Sequence, residues 1–95
     1  METEKITLTA TYVNISEDKT NLVIQPINSR SVRIAFGNTK PADDTVHFMV
    51  VNNGNPWIYN FEVEVGSQCW ARSANDQPND IVVVRANYGS SYTGV

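Results

Sequence analysis

The chain has 95 residues, and its seven basic and ten acidic side chains give a formal net charge of −3. A chain of this length suits one compact domain, whose folding buries roughly 60 to 68% of the surface exposed by the unfolded form. The mildly acidic balance argues against nucleic acid as a partner, because phosphate binders concentrate Lys and Arg on one face. No apolar stretch approaches the roughly 20 residues needed to span a bilayer, so no membrane partner is expected.

The hydrophobic pattern along the chain has a period of two, which is typical of half-buried β-strands. It begins with "ITLTATYV", where apolar residues alternate with threonines, and it is clearest in "WIYNFEVEV", where aromatic residues and valines alternate with polar residues. Clusters of Gly, Pro, Asn, Asp and Ser separate the segments, as turns require. In chain order, strands are predicted at 6–13, 22–24, 31–36, 45–51, 57–65, 67–72 and 80–88, with Pro26 stopping the second.

About seven short strands with turn signals every 8 to 12 residues predict an all-β fold. We expect a single antiparallel β-sandwich of the jelly-roll or immunoglobulin-like type, comprising residues 1–95, with arms at residues 1–5 and 89–95. The alternation predicts a core of Ile6, Leu8, Leu22, Ile24, Val32, Ile34, Phe36, Phe48, Val50, Tyr59, Phe61, Val63, Trp70, Val82 and Val84.

No catalytic constellation stands out, and we expect neither enzymatic activity nor a cofactor. A nucleophile needs a base, and the single histidine, His47, lies in a predicted strand, where a structural role is favoured. The single cysteine, Cys69, cannot form an intramolecular disulfide and is expected to act as a small buried hydrophobe. Glu62 and Glu64 share a strand face and indicate a solvated surface rather than an acid/base pair.

Two loops carry oxygen ligands that a hard cation would accept. "PADDT" contains Asp43 and Asp44, and "NDQPND" contains four further candidates: Asn75, Asp76, Asn79 and Asp80. Neither loop has the regular spacing of a calcium-binding loop. Turn chemistry explains the same residue types, so no metal site is predicted.

Aromatic residues near strand ends are the candidates for contact with a partner. Trp57 and Tyr59 begin the longest predicted strand, and Tyr88 and Tyr92 lie near the C-terminus. Rings in such positions can fill a pocket on a neighbouring subunit or stack on a sugar. Lys40, with Asp43 and Asp44, is expected at the rim of such a contact.

The segments "VRIAFGNTKP", "DDTVHFMV" and "CWARSANDQPNDIVVVR" resemble the small all-β structural proteins of tailed bacteriophages. The resemblance covers roughly residues 21–86, and "NNGNPWIYNFEVEV" departs from it by supplying a long aromatic strand. The matching positions are Val32, Arg33, Gly37, Pro41, Trp70, Ala71, Arg72 and the valines at 82–84.

This resemblance implies a virion structural role without catalysis or cofactor. The expected protein is a capsid decoration protein on the head exterior, assembled in the host cytoplasm. Its expected partners are copies of itself, as a homotrimer or other small symmetric oligomer, and the major capsid protein. Two alternatives remain: a carbohydrate-binding module of a tail, neck or fibre that uses Trp57 and Tyr59, and a cytosolic inhibitor of host enzymes.

Overall fold

The protein is built from β-strands in the computed structural model, which describes residues 1–28, 31–52, 58–75 and 77–87. These residues contain no helix, and hence none that is long and apolar enough to cross a membrane. Their eight strands are β1 (Glu2–Leu8), β2 (Val13–Asn14), β3 (Asn21–Pro26), β4 (Val32–Gly37), β5 (Met49–Val51), β6 (Tyr59–Glu62), β7 (Gln68–Ser73) and β8 (Asn79–Ala86). The predicted all-β class is confirmed.

The strands form two antiparallel sheets of four strands each. The first sheet has the order β1-β8-β3-β6, and the second has the order β2-β7-β4-β5. In this arrangement β1 pairs with β8, β2 with β7, β3 with β6 and β4 with β5. The chain therefore folds as one long hairpin that is divided between two sheets. This is the jelly-roll topology, so the sandwich is of the first of the two types expected.

The N-terminal part of the chain differs from the prediction in two ways. Residues 1–5 were expected as an arm, but β1 begins at Glu2 and pairs with β8 over its whole length. The predicted strand 6–13 is also divided, because the chain leaves the first sheet after Leu8 and joins the edge of the second sheet as β2. The amide of Ser73 donates to the carbonyl oxygen of Thr9 at 2.8 Å, which places this crossing beside β7.

The predicted strands at 45–51 and 57–65 are shorter in the structure. β5 starts only at Met49, because a turn closed by the Thr45 amide and the Ala42 carbonyl oxygen precedes it. β6 ends at Glu62, and the amide of Val63 donates instead to the carbonyl oxygen of Thr20 at 2.8 Å. At the ends of both predicted strands, the backbone therefore forms hydrogen bonds within loops instead of pairing with a neighbouring strand.

The core lies between the two sheets and is apolar. Six predicted core residues are buried there: Leu8, Leu22, Ile24, Val32, Ile34 and Val63. Three more are partly buried and pack against it: Ile6, Tyr59 and Phe61. Tyr12 and Ile15, which were not in the predicted core, are also fully buried.

The other predicted core residues do not lie in the interior: Phe36, Phe48, Val50, Trp70, Val82 and Val84. In β7 and β8 the alternation has the opposite phase, since the inward positions hold Cys69, Ala71, Ile81 and Val83. Trp70 lies on the outer face, where its indole N–H donates to the Gly37 carbonyl oxygen at 3.0 Å. A run such as "IVVV" carries no polar residue to set its phase, so alternation alone assigns the wrong face.

Candidate functional site

The loop between β4 and β5 crosses the outer face of the second sheet. Arg33 and Arg72 are directly opposite each other on that face. The Arg72 guanidinium donates from Nη1 to the main-chain oxygen of Asp43 at 2.5 Å, and the Asp43 carboxylate accepts from the Tyr12 amide at 3.3 Å. Arg33 lies over the ring of Phe48, 4.6 Å from its centroid. The loop is thus held against the sheet by Asp43, which has a structural role here.

Lys40 and Asp44, the other candidates in this loop, are exposed. Neither forms a hydrogen bond or an ion pair with the described part of the chain. Asp43, Asp44 and Lys40 therefore do not converge on one point, although Lys40 and Asp44 remain accessible to a neighbouring molecule.

The second polar loop is used for internal bonds. Asn75 accepts a hydrogen bond from the Gln77 amide at 2.9 Å, and the buried Asn79 donates to the Ser31 carbonyl oxygen at 3.1 Å. Asp80 accepts from the Thr7 hydroxyl at 2.7 Å and pairs with Lys5 at 3.6 Å. No group of three or more metal-ligating side chains occurs among the described residues.

Of the aromatic candidates, the structure describes Tyr59. Its side chain is half-buried beside the core, and its hydroxyl donates to the Asn52 carbonyl oxygen at 3.3 Å. Trp57, Tyr88 and Tyr92 lie outside the described residues, so their roles at a partner contact remain predictions.

The candidate catalytic residues His47 and Cys69 differ in their exposure to solvent. His47 is exposed in the loop before β5, whereas Cys69 is fully buried. Burial raises the pKa of the Cys69 thiol to about 12. At neutral pH this cysteine is protonated and packs as a hydrophobe, as predicted. Glu62 and Glu64 are both exposed, as expected of a solvated surface.

Arg85 is a buried arginine that was not predicted from the sequence. The Arg85 side chain is 1% exposed, and its Nε donates to the Ile15 carbonyl oxygen at 2.6 Å. Nη1 lies 3.1 Å from Glu2, while Nη2 lies 2.8 Å from Glu4 and 3.1 Å from Glu17. The contacts of Nη2 are electrostatic, since neither has the angles of a directed hydrogen bond. One guanidinium thus organises three half-exposed carboxylates.

The turn after β2 brings Glu17 to this arginine. Glu17 and Asp18 have φ angles of 49° and 67°, a left-handed conformation that is unfavourable for both residues. The Asn14 side-chain oxygen accepts from the Glu17 amide at 2.9 Å, and that of Gln68 accepts from the Asp18 amide at 3.0 Å. These two amide side chains hold the turn in place. The sequence contains one indication that Arg85 is buried: it is in phase with Ile81 and Val83, on the same face of β8. In the structure it lies opposite the glutamates of β1.

The side of the sandwich at β5 and β6 exposes apolar residues together with the polar Asn60 and Glu62 of β6. We call the apolar side the group Phe36, Met49, Val50 and Ile58, which are 43%, 49%, 53% and 53% exposed. Val50 pairs with Arg33 and lies on the outer face, whereas Met49 pairs with the buried Ile34. The rings of Phe36 and Phe61 contact each other across the two sheets, with centroids 5.6 Å apart. Both β5 and β6 are edge strands. Among the described residues, no further strand pairs with the outer edge of β5 or β6, so this side combines partly exposed apolar side chains with two sheet edges.

The fold and these surfaces define an eight-stranded jelly roll without a recognisable catalytic centre among the described residues. No protein-family model and no curated protein matches the sequence. The solution NMR structure of a de novo designed double-stranded β-helix is similar to this chain, with a TM-score of 0.53 and 18% sequence identity. The similarity covers 87% of this chain and 96% of the designed one, and it supports the fold alone.

Proposed function

We propose that this chain is a non-enzymatic structural protein of a tailed-bacteriophage virion, namely a capsid decoration protein on the head exterior. The apolar side carries the proposal, and the sequence resemblance described above adds to it. The partners are other copies of the chain, as a homotrimer or other small symmetric oligomer, and the major capsid protein.

The apolar side is suited to association because β5, one of its two edge strands, has no protecting charge, proline or bulge among the described residues. Proteins normally shield an edge strand with charges, prolines or bulges, since unpaired backbone groups otherwise invite another strand. β5 consists of Met49, Val50 and Val51 and carries no charge. Several large apolar side chains that are about half exposed on one side of a small domain mark an interaction surface rather than ordinary scatter.

Symmetric assembly matches this kind of surface. Each partner in a stable protein interface buries about 800 Å² on average, with an apolar centre and a polar rim. Here the apolar side supplies the centre, and the exposed Lys40 and Asp44 in the preceding loop can contribute to the rim. A closed ring of identical subunits would cover the apolar side in every copy and leave the other surfaces for the capsid.

Sedimentation velocity on the full chain tests the association. We expect the parent protein to form a small oligomer and the Val50→Lys variant to be monomeric, because the lysine would be buried in the interface. Val13→Lys is the matched control, since Val13 is 37% exposed on the opposite edge, in β2. A monomeric parent protein, or an oligomer that Val50→Lys leaves intact, would contradict the role of the apolar side.

Quantitative mass spectrometry of purified virions tests the location. A copy number comparable to that of the major capsid protein is expected for a head decoration protein. A copy number of a dozen or fewer would instead support the neck or tail, and absence from virions would overturn the virion role.

A further inference from the structure

A groove lies on the outer face of the first sheet, the face opposite to that of the buried Arg85. It has a volume of about 410 Å³ and crosses β3, β6 and β8. Two rows of side chains form it, because Asn21 pairs with both Ala86 and Glu62, and Val23 pairs with both Val84 and Asn60. The neighbouring residues Leu22 and Val83 point into the core, so these rows lie on the outer face of the sheet, where Val23 and Val84 are half-buried and Ala86 is 5% exposed.

The groove is apolar on one half and polar on the other. Val23, Val84 and Ala86 form the apolar half, and Asn60 and Glu62 on β6 form the polar half. Asn60 and Glu62 are exposed, and their side chains make no hydrogen bond or ion pair with the described residues. They are therefore available to a ligand without breaking an internal bond.

The composition of the groove restricts the chemistry of a ligand. Glu62 is the one charged residue among those that line it, so an anion would meet repulsion with no compensating cation. A single carboxylate does not provide the six or more oxygens that calcium takes. A wholly apolar ligand would remove Asn60 and Glu62 from water without replacing their hydrogen bonds.

A neutral polyhydroxylated ligand satisfies both halves. An amide both donates and accepts, and a carboxylate accepts, so Asn60 and Glu62 can bond to adjacent hydroxyl groups. The C–H face of a sugar ring can pack on Val23 and Val84. The volume lies within the range of about 300–1,000 Å³ that is typical of small-molecule sites. We propose that this groove binds a neutral saccharide unit, independently of the assembly role of the apolar side.

An NMR titration of the ¹⁵N-labelled full chain tests this proposal. The probes are glucose, galactose, mannose and N-acetylglucosamine, each added up to about 50 mM, which detects dissociation constants in the millimolar range. We expect at least one of them to shift the backbone amides of Val23, Asn60, Glu62 and Val84 while those of β4 and β7 stay unchanged. If no probe shifts the groove amides, or if the shifts map to another surface, the proposal is wrong.

Three variants connect the binding to particular side chains. Asn60→Ala should weaken binding roughly fivefold, the effect of losing about one hydrogen bond, and Glu62→Gln should weaken it less, because glutamine keeps an acceptor oxygen and loses only the charge. Glu64→Gln is the control, because it removes the same charge from an exposed residue that does not line the groove. Val84→Phe should fill the groove and abolish binding, and the spectrum of each variant reports whether it is folded. Unchanged affinity in both Asn60→Ala and Val84→Phe would overturn the assignment.

Discussion

The edge strands on the two sides of the sandwich differ most clearly between β1, which carries Glu2, Glu4 and Lys5, and β5, which has no charged residue. On the side of β1 and β2, hereafter the charged side, Arg85 is enclosed by Glu2, Glu4 and Glu17. Glu2 and Glu4 belong to β1, the edge strand of the first sheet, and Glu17 follows β2, the edge strand of the second. On the other side, the edge strand β5 carries no charge and its Met49 and Val50 are about half exposed, while the edge strand β6 exposes Asn60 and Glu62.

This difference indicates that one edge of the sandwich stabilises the fold and the other is suited to association. Charges on an edge strand discourage pairing with another chain, because such pairing would bury them. An uncharged apolar edge has no such barrier, and burying it in an interface is favourable. We therefore expect substitutions on the charged side to change the stability of the fold and those on the apolar side to change association.

Removing the carboxylates should have the largest effect. The triple variant Glu2→Gln, Glu4→Gln, Glu17→Gln leaves a buried guanidinium without its counter-charges and should lower the free energy of unfolding by about 3 kcal/mol. Each single variant should cost less than about 1 kcal/mol, because the carboxylates are half exposed and screened by water. Urea denaturation of the four proteins measures these values.

Arg85→Met is the matched comparison for that triple variant. Methionine fills a similar volume and leaves no buried charge, so the loss should be only about 1 kcal/mol, mainly from the unpaired Ile15 carbonyl oxygen. If Arg85→Met were more destabilising than the triple variant, the attraction of the carboxylates would not be what stabilises this side.

Cys69 lies in the core between the two sides, and its ionisation tests whether water reaches the interior. Its folded pKa is about 12, while an unfolded cysteine ionises near pH 8.5, so the unfolded state releases its proton first as the pH rises. The thiol's contribution is fully present below about pH 8.5. The free energy of unfolding should fall above that pH by about 1.4 kcal/mol per pH unit until about pH 12. The Cys69→Ala variant should lack this component, and equal pH slopes in the two proteins would show that the thiol is hydrated.

Tyr12, just before β2 on the charged side, should give a smaller change of opposite sign. Its side chain is 1% exposed, and its hydroxyl has no hydrogen-bond partner among the described residues. Burial raises the pKa of the phenol, and Arg33 and Arg72 lower it in part. Tyr12→Phe should raise the free energy of unfolding by about 1 kcal/mol, since it removes an unsatisfied buried polar atom. Thermal unfolding measures the change, and a lower melting temperature would mean that the hydroxyl is bonded.

The smallest effect on folding is expected on the apolar side. Met49→Lys and Val50→Lys should each change the free energy of unfolding of the monomer by less than about 0.5 kcal/mol, because both residues are about half exposed. The measurement is denaturation at a protein concentration below that of association. A loss of several kcal/mol would place these residues in the fold rather than at an interface.

Residues 22–24 and 31–36 show what local pattern predicts well, although β3 continues through Pro26, which was expected to stop it. Their alternating apolar residues predicted two strands, and Leu22, Ile24, Val32 and Ile34 are buried as expected. The role of Asp43 could not be predicted from local pattern, because its partners Tyr12 and Arg72 are distant in sequence. Turn composition predicted that this segment would be a loop, but not that the loop would cover a sheet.

The sequence by itself determined the class of fold, since a period of two and frequent turn signals are properties of neighbouring residues. Which face of β7 and β8 points inward was decided only by tertiary structure. Local alternation left Arg85 outside the core, whereas the fold places Glu2, Glu4 and Glu17 around it and thereby allows a guanidinium to be buried. A partner from a distant part of the chain can thus reverse the preference of a whole strand.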